Sequence, residues 1–199
     1  MASKKGLTVY ITGSPGTGKT SVASRLKEKI GGEHFELSAI CLERGFIVGY
    51  DKKRKTRIID LARLEKYLGK VLRGKENFIL SSHFIVKLPK TLKPKIFVLR
   101  CHPSTLAKRL KMKGFHREKI FENVWAEILD FCLQEALKVY GLKQVHEIDT
   151  TNKDVGRVVE EIRAVVKEKK KPKIGVCDWI KKLEEEGKLK EFLGWGERF

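Results

Sequence analysis

The sequence predicts an α/β fold, a central parallel sheet with helices on both faces, and three observations carry the prediction. Short apolar runs rich in Val, Ile, Leu and Phe alternate with longer stretches whose apolar residues recur every three or four positions. That is the pattern of strands buried on both faces and of helices packed over them. A glycine-rich turn, Gly13-Ser14-Pro15-Gly16-Thr17-Gly18-Lys19-Thr20, directly follows the first apolar run. The 199 residues, 41% hydrophobic and 34% charged, suffice for one core of ordinary size with an appendage. No apolar run approaches the ~20 residues of a membrane-spanning helix.

Residues 7–12 read as the first strand and end at Gly13. The first helix runs from Thr20 through Val22, Leu26 and Ile30 and stops at Gly31-Gly32. Residues 34–37 are a short second strand. Residues 38–57 show no clear period and contain the charged turn Tyr50-Asp51-Lys52-Lys53-Arg54-Lys55. Asp60 reads as the N-cap of a helix whose buried face is Leu61, Leu64, Leu68, Val71 and Leu72, with Gly74 beyond its end. Strands follow at 77–81 and 95–100. A helix spans about 104–113 and halts at Gly114, and one long helix is expected over 117–140, with Phe121, Val124, Trp125, Ile128, Cys132, Ala136 and Val139 at helical spacing. A last strand covers 145–148 and a last helix runs from Asp154 to about Lys169. The division is therefore a domain at 1–168 and, at 169–199, a lysine-rich linker leading into an amphipathic appendage carrying Trp179, Ile180, Leu183, Leu189, Phe192 and Leu193. In parallel sheets ligands sit at the carboxyl ends of strands, and Gly13, Ser81 to His83 and Arg100 all fall there.

Charge is the second strong signal. There are 43 Lys and Arg against 25 Asp and Glu, a formal net charge of +18, and residues 81–119 hold eleven cations against one carboxylate. Such a field suits polyphosphate ligands and nucleic-acid backbones alike. The four cysteines, Cys41, Cys101, Cys132 and Cys177, are too scattered for a metal or disulfide framework and read as reduced, packed thiols. With no leader-like segment at the N-terminus, a cytoplasmic protein with no membrane partner is expected.

The turn at 13–20 fits G-x-x-x-x-G-K-[ST] at every fixed position, the pattern of a P-loop nucleotide-binding protein. Gly13, Gly16 and Gly18 let backbone N–H groups converge on a phosphate, with Thr17 and Ser21 completing the cradle. Lys19 supplies a mobile charge for β and γ oxygens, and the Thr20 hydroxyl suits Mg²⁺. A nucleoside triphosphate with Mg²⁺ is therefore the expected ligand. Guanine specificity is not supported: Asn152-Lys153 begins the N-K-x-D pattern of guanine binders, but Val155 stands where the Asp is required. After Arg100, the arm Arg109, Lys113, Arg117 and Lys119 surrounds the Gly114 hinge and is placed to close over transferring phosphates, where nucleoside monophosphate kinases carry a lid.

Taken together, the segments GSPGTGKTS, SSH, FVLRCHPSTLAKRL, KGFHREKIFENVWAEI and EIDTT resemble the atypical adenylate kinases of archaea and eukaryotes, collinearly from about residue 7 to 162. The resemblance implies a nucleoside monophosphate kinase-like P-loop fold, with a monophosphate-binding region at about 36–60 and a lid at about 112–122. It also implies ATP and Mg²⁺ use, phosphoryl transfer to AMP or a related monophosphate, intrinsic ATPase activity and a role in small ribosomal subunit maturation, with a small-subunit ribosomal protein and ribosomal RNA as partners. By the same resemblance Lys19, His83, Arg100 and Arg109 are candidate catalytic residues. Gly16, Gly18, Lys19, Thr20 and Ser21 match the ATP loop, Lys113 stands at the lid position that meets ATP, and Asp51 and Asp60 match the monophosphate region. Three positions depart from the family pattern. Ser81 replaces the Asp of Asp-x-His, Lys113 replaces an arginine, and Leu42 replaces an arginine facing the monophosphate, with Arg44 nearby as its substitute. Three readings follow: an adenylate-kinase-like phosphotransferase with ATPase activity, an ATP-gated ribosome assembly factor with little kinase activity, and another small-molecule kinase of similar architecture.

Overall fold

The computed structural model describes residues 7–52, 56–75 and 77–194. Lys53, Arg54 and Lys55 of the expected charged turn, and the last residues of the appendage, lie outside them. Five strands form the main sheet: β1 (Thr8–Thr12), β2 (Glu33–Glu36), β5 (Phe78–Ser81), β6 (Lys95–Arg100) and β7 (Val145–Asp149). They lie side by side in the order β2-β5-β1-β6-β7, every neighbour parallel. The stretch without clear period resolves into α2 (Leu37–Glu43) and an antiparallel hairpin, β3 (Ile47–Asp51) with β4 (Thr56–Ile59).

Alternation along the strands splits the core between the two faces. Val9, Ile11, Ile79, Phe97, Leu99 and Ile148 face α1 (Lys19–Ile30) and α7 (Val155–Val166), meeting Val22, Leu26, Val158 and Ile162. Tyr10, Phe78, Leu80, Ile96, Val98 and Val145 face α3 (Leu61–Val71) and α6 (Phe131–Tyr140), meeting Leu64, Leu68, Cys132 and Ala136. Asp60 caps α3 as expected, its carboxylate accepting from Arg63 N at 3.0 Å.

The long helix expected over 117–140 is two helices, α5 (Arg117–Ile128) and α6, separated at Asp130 in the left-handed region (φ 57°). The apolar spacing runs through the break unchanged, but the two halves pack on different partners. Ile120, Val124 and Ile128 join a third cluster with Leu106 and Leu110 of α4 (Pro103–Met112), whereas Cys132, Leu133 and Ala136 meet the sheet. A direction change was required, and the Asp130 carboxylate is anchored there by the Arg100 guanidinium. The appendage forms α8 (Trp179–Glu185) and α9 (Leu189–Leu193), and it docks on the domain: Leu183 and Phe192 are buried in the same third cluster. All four cysteines are free and buried. Among the described residues no helix is long and apolar enough to cross a membrane.

Candidate active site

The loop between β1 and α1 has the backbone its glycines permit. Gly13, Gly16 and Gly18 take φ of 142°, 92° and 98°. A Cβ on Gly13 would stand 2.3 Å from the Leu99 carbonyl oxygen of β6, and one on Gly16 would stand 2.9 Å from Leu106 Cδ1, so both positions are also closed by packing. Thr17 Oγ1 donates to Ser14 O at 2.9 Å, and Thr150 Oγ1 donates to Thr17 O at 3.2 Å, which ties the loop to the end of β7. Lys19 Nζ folds back on the loop it serves, donating to Gly13 O at 2.7 Å and Ser14 O at 2.9 Å. Burial lowers this ammonium to about 8. The energetic consequence is a cation held by carbonyls alone, ready to exchange them for an anion.

Two concavities flank the loop. One, of about 420 Å³, is lined by Gly16, Thr17, Gly18 and Ser21, by Arg109 of α4 and Lys113 just past its end, and by Lys153, Val155 and Val158 opposite. Arg109 is steadied by its Nη2, which donates to the Thr150 and Thr151 carbonyls at 3.3 and 3.4 Å. The other, of about 870 Å³, lies across Ser14 and Pro15, between α2, the β3–β4 hairpin and α5. Its walls carry Leu42, Ile47, Tyr50, Ile59 and Phe131, and its cations are Arg57 and Lys119. Lys119 Nζ donates to Thr56 Oγ1 at 2.8 Å and to Glu122 Oε2 at 2.6 Å, which aims it between hairpin and helix.

The expected site residues divide accordingly. Gly16, Thr17, Gly18, Ser21, Arg109 and Lys113 gather on the smaller concavity, and Lys19 stays on the loop carbonyls of Gly13 and Ser14. His83 lines the larger one, and burial together with the Lys19 charge lowers its pKa, so the imidazole is neutral at pH 7. Ser81 shares a hydrogen bond of 2.8 Å with His34 Nε2. Arg100 does not face either concavity. It is 1% exposed, and its guanidinium commits four of its five N–H donors, to Glu127 Oε1 (2.7 Å), Glu147 Oε1 (2.5 Å), Asp130 and the Glu127 carbonyl. Its place at a strand end suggested catalysis; its three carboxylates make it structural. Arg44, the expected substitute for the missing arginine, is exposed with its guanidinium 5.4 Å from the Tyr67 ring centre, and it does not line the larger concavity. Asp60 is committed to its helix cap. Asp51 sits in the hairpin beside Thr56 but is not part of the wall.

Mg²⁺ asks little of the protein, because it keeps several waters and takes the rest of its shell from phosphate oxygens. The Thr20 side chain fits that role: it is exposed in the first turn of α1, and its hydroxyl has no partner among the described residues. Ser81 adds no carboxylate. Glu36, across the sheet from it in register, is occupied in capping α2 through Ser38 N and Ala39 N. Among the described residues no set of three His, Cys, Asp or Glu side chains is arranged to hold a metal.

Two elements escaped the sequence reading. Arg57 lies in the stretch whose period was illegible. Glu127 shares the α5 face of Ile120, Val124 and Ile128, and a carboxylate on an apolar face was the available signal. It is 2% exposed, accepts from Ser14 Oγ at 2.7 Å through Oε2, and accepts from Arg100 Nε, Cys101 N (3.1 Å) and Trp179 Nε1 (2.9 Å) through Oε1. One side chain thus joins the phosphate loop, the end of β6 and the C-terminal appendage.

Comparison with known proteins agrees with this layout. Residues 9–130, more than half of the chain, match the family described as "AAA domain". A protein of Pyrococcus furiosus named "Putative adenylate kinase" is 39% identical over 89% of this chain and 93% of its own length, and one of Methanocaldococcus jannaschii with the same name is 35% identical over 87% and 93%. Among solved structures, shikimate kinase from Acinetobacter baumannii in complex with shikimate superposes with a TM-score of 0.56 at 14% identity, over 84% of this chain and 96% of that one. Likeness at that identity establishes the fold, that of a P-loop kinase.

Proposed function

This chain belongs to the archaeal adenylate-kinase-like family within the AAA-domain P-loop proteins, and from that premise we propose that it transfers the γ-phosphoryl group of ATP to a nucleoside monophosphate, AMP first among them. The observation that carries the reading is the pair of concavities meeting at one phosphate loop, one on the Gly16–Gly18 side and one on the Ser14–Pro15 side. A donor and an acceptor bound there present their phosphates to each other across Lys19.

On the donor side the base packs between Arg109 and the apolar Val155 and Val158, while the loop N–H groups and the α1 N-terminus hold the β-phosphate. Lys19 leaves the Gly13 and Ser14 carbonyls for the β and γ oxygens, and Lys113 approaches from the lid. These cations stabilise equatorial oxygen charge as the γ-phosphorus separates from the β-γ bridging oxygen. Thr20 would hold Mg²⁺, which would supply neutralisation of the triphosphate's charge. On the acceptor side Arg57 and Lys119 hold the monophosphate, whose oxygen forms the new bond to phosphorus as ADP departs.

A monophosphate has a second pKa near ~6, so its attacking oxygen is already deprotonated at pH 7 and needs no general base. Ser81 in place of the family's Asp is therefore compatible with transfer to AMP. Attack by water is different, since it requires a group that orients the water and receives its proton, and Ser81, bonded to His34, is poorly equipped. Intrinsic ATPase activity belongs to this proposal as the minor reaction.

The test is ADP formation from ATP and Mg²⁺ with and without AMP, beside a Lys19→Ala variant checked for folding. Acceleration by AMP of about 10²-fold or more, abolished in the variant, is the expected result. Slow turnover indifferent to AMP would sink the kinase reading. It would favour a second one, an ATP-gated factor acting with a small-subunit ribosomal protein and ribosomal RNA, which the formal charge of +18 supports.

A further inference from the structure

A third concavity, of about 690 Å³, lies at the opposite end of the sheet from the phosphate loop. It is bounded by the loop leading into β6, the end of α6 with the loop after it, and the end of α7 with the linker that follows. Lys95 begins β6 and Arg100 ends it, so the two sites are about 16 Å apart at ~3.3 Å per residue. Six lysines surround this concavity without an ion pair among the described residues: Lys87, Lys90, Lys93, Lys143, Lys170 and Lys171. A seventh, Lys95, is spent on Glu168 at 3.5 Å and on the Val165 and Val166 carbonyls. Glu168 is the single carboxylate of the lining.

Two ordinary explanations fall short. Lysines past a helix C-terminus complement its dipole, which accounts for Lys143, Lys170 and Lys171 but not for Lys87, Lys90 and Lys93, none of which follows an α-helix. Dispersed surface lysines are usually interleaved with carboxylates, and here the interleaving is missing. Lys93 also stands at φ 42°, a left-handed conformation unfavourable for a non-glycine residue, between the 3-10 turn Lys90–Leu92 and Pro94. The turn and the proline hold it there, next to the concavity.

We infer that this basic concavity binds the phosphodiester backbone of a nucleic acid, independently of the nucleotide site and of the reaction assigned to it. An array of unpaired ammonium groups around a mostly apolar floor with Tyr140 suits a repeating monoanion read without base specificity. Contacts to Z phosphates of a single strand give a salt slope of about −0.7Z, so engagement of all six lysines gives roughly −4.

The experiment titrates the full chain into a fluorescently labelled single-stranded RNA oligonucleotide by anisotropy, across a range of KCl. It compares the wild type with the triple variant Lys90→Gln/Lys93→Gln/Lys143→Gln. A control, Arg25→Gln/Lys27→Gln/Lys29→Gln on the exposed face of α1, removes the same charge elsewhere. Far-UV circular dichroism and the KM for ATP verify that both variants are folded. The groove variant is expected to lose about 2 from the slope and at least tenfold in affinity, with the control close to wild type. Equal losses in both variants, or none in the groove variant, overturn the inference. A second arm adds ADP or inorganic triphosphate. Failure to displace RNA supports backbone binding, whereas displacement at concentrations that fill the nucleotide site shows a small-anion site and refutes it.

Discussion

Glu127→Gln tests whether the carboxylate beneath the phosphate loop holds the molecule together by its charge. The substitution keeps the shape: the amide oxygen can still accept from Arg100, Cys101 and Trp179, and the amide nitrogen can donate to Ser14 Oγ, whose hydroxyl turns round to accept. What disappears is the negative charge opposite an arginine that is 1% exposed. Breaking a buried ion pair by removing one partner costs about 3–5 kcal/mol. Arg100, however, retains Glu147, which is fully buried, and Asp130, which is 36% exposed, so its own charge stays compensated. The loss that remains is three donors crowded on a neutral oxygen, against charge-assisted bonds about twice as strong, which we place at about 2–3 kcal/mol. Urea denaturation followed by circular dichroism measures it as a fall in the midpoint at unchanged m. Trp179→Phe, which deletes one donor and keeps a ring beside His102, should cost about 1 kcal/mol. The double variant should then fall short of the sum by at least ~0.5 kcal/mol, because both changes act on one oxygen. A Glu127→Gln effect under ~0.5 kcal/mol, or strict additivity with Trp179→Phe, would refute the view that this carboxylate ties the appendage to the loop.

Gly13→Ala should destabilise the protein by at least ~3 kcal/mol in the same denaturation assay, since its Cβ meets the Leu99 carbonyl at 2.3 Å, whereas Gly18→Ala, strained at φ 98° with open space around it, should cost about 1–2 kcal/mol. Arg57→Ala is expected to raise the KM for AMP by about tenfold or more with the KM for ATP unchanged, the loss of one charged hydrogen bond; Arg44→Ala, away from the pocket, should leave both constants alone. Lys19 must be protonated to meet a triphosphate, and burial brings its pKa down to about 8 in the free protein. ATP affinity, measured by calorimetry, should therefore be level below that pH and weaken by about tenfold per unit above it, and a profile flat to about pH 9.5 would show that the ammonium is held more firmly than burial implies.

The fold was legible wherever one residue type had one physical job. Gly31-Gly32 and Gly74 closed their helices, Asp60 capped the next one, and the apolar strands fell within a residue or so of their places. The stretch 38–57 was illegible because α2 has seven residues, too few to establish a period, and because β3 and β4 form a two-stranded hairpin with exposed Val48, Tyr50 and Ile58. Their inward residues, such as Ile47 and Ile59, are only half-buried, so the alternation is weak in the sequence. The break at Asp130 was hidden for the opposite reason: both halves obey the helical period, and periodicity records that a face is buried without recording against what.

The site divides along the same line. Backbone demands such as those of the phosphate loop are written locally, so Gly13 through Thr20 could be read directly. Side-chain assignments that depended on a neighbour distant in sequence could not. Arg100 at the end of β6 satisfies the local requirements for a phosphate ligand, and only Glu127, Asp130 and Glu147, arriving from two other elements, turn it inward. Glu127 in turn looks superfluous on its helix until Ser14 and Trp179 are brought to it across more than fifty residues each way. Charge left unpaired in the sequence therefore carries more functional information than charge placed near a motif. Arg57 in the lining of the larger concavity has no carboxylate partner among the described residues, and it was the absence of a local helix or strand signal, not the absence of charge, that concealed it.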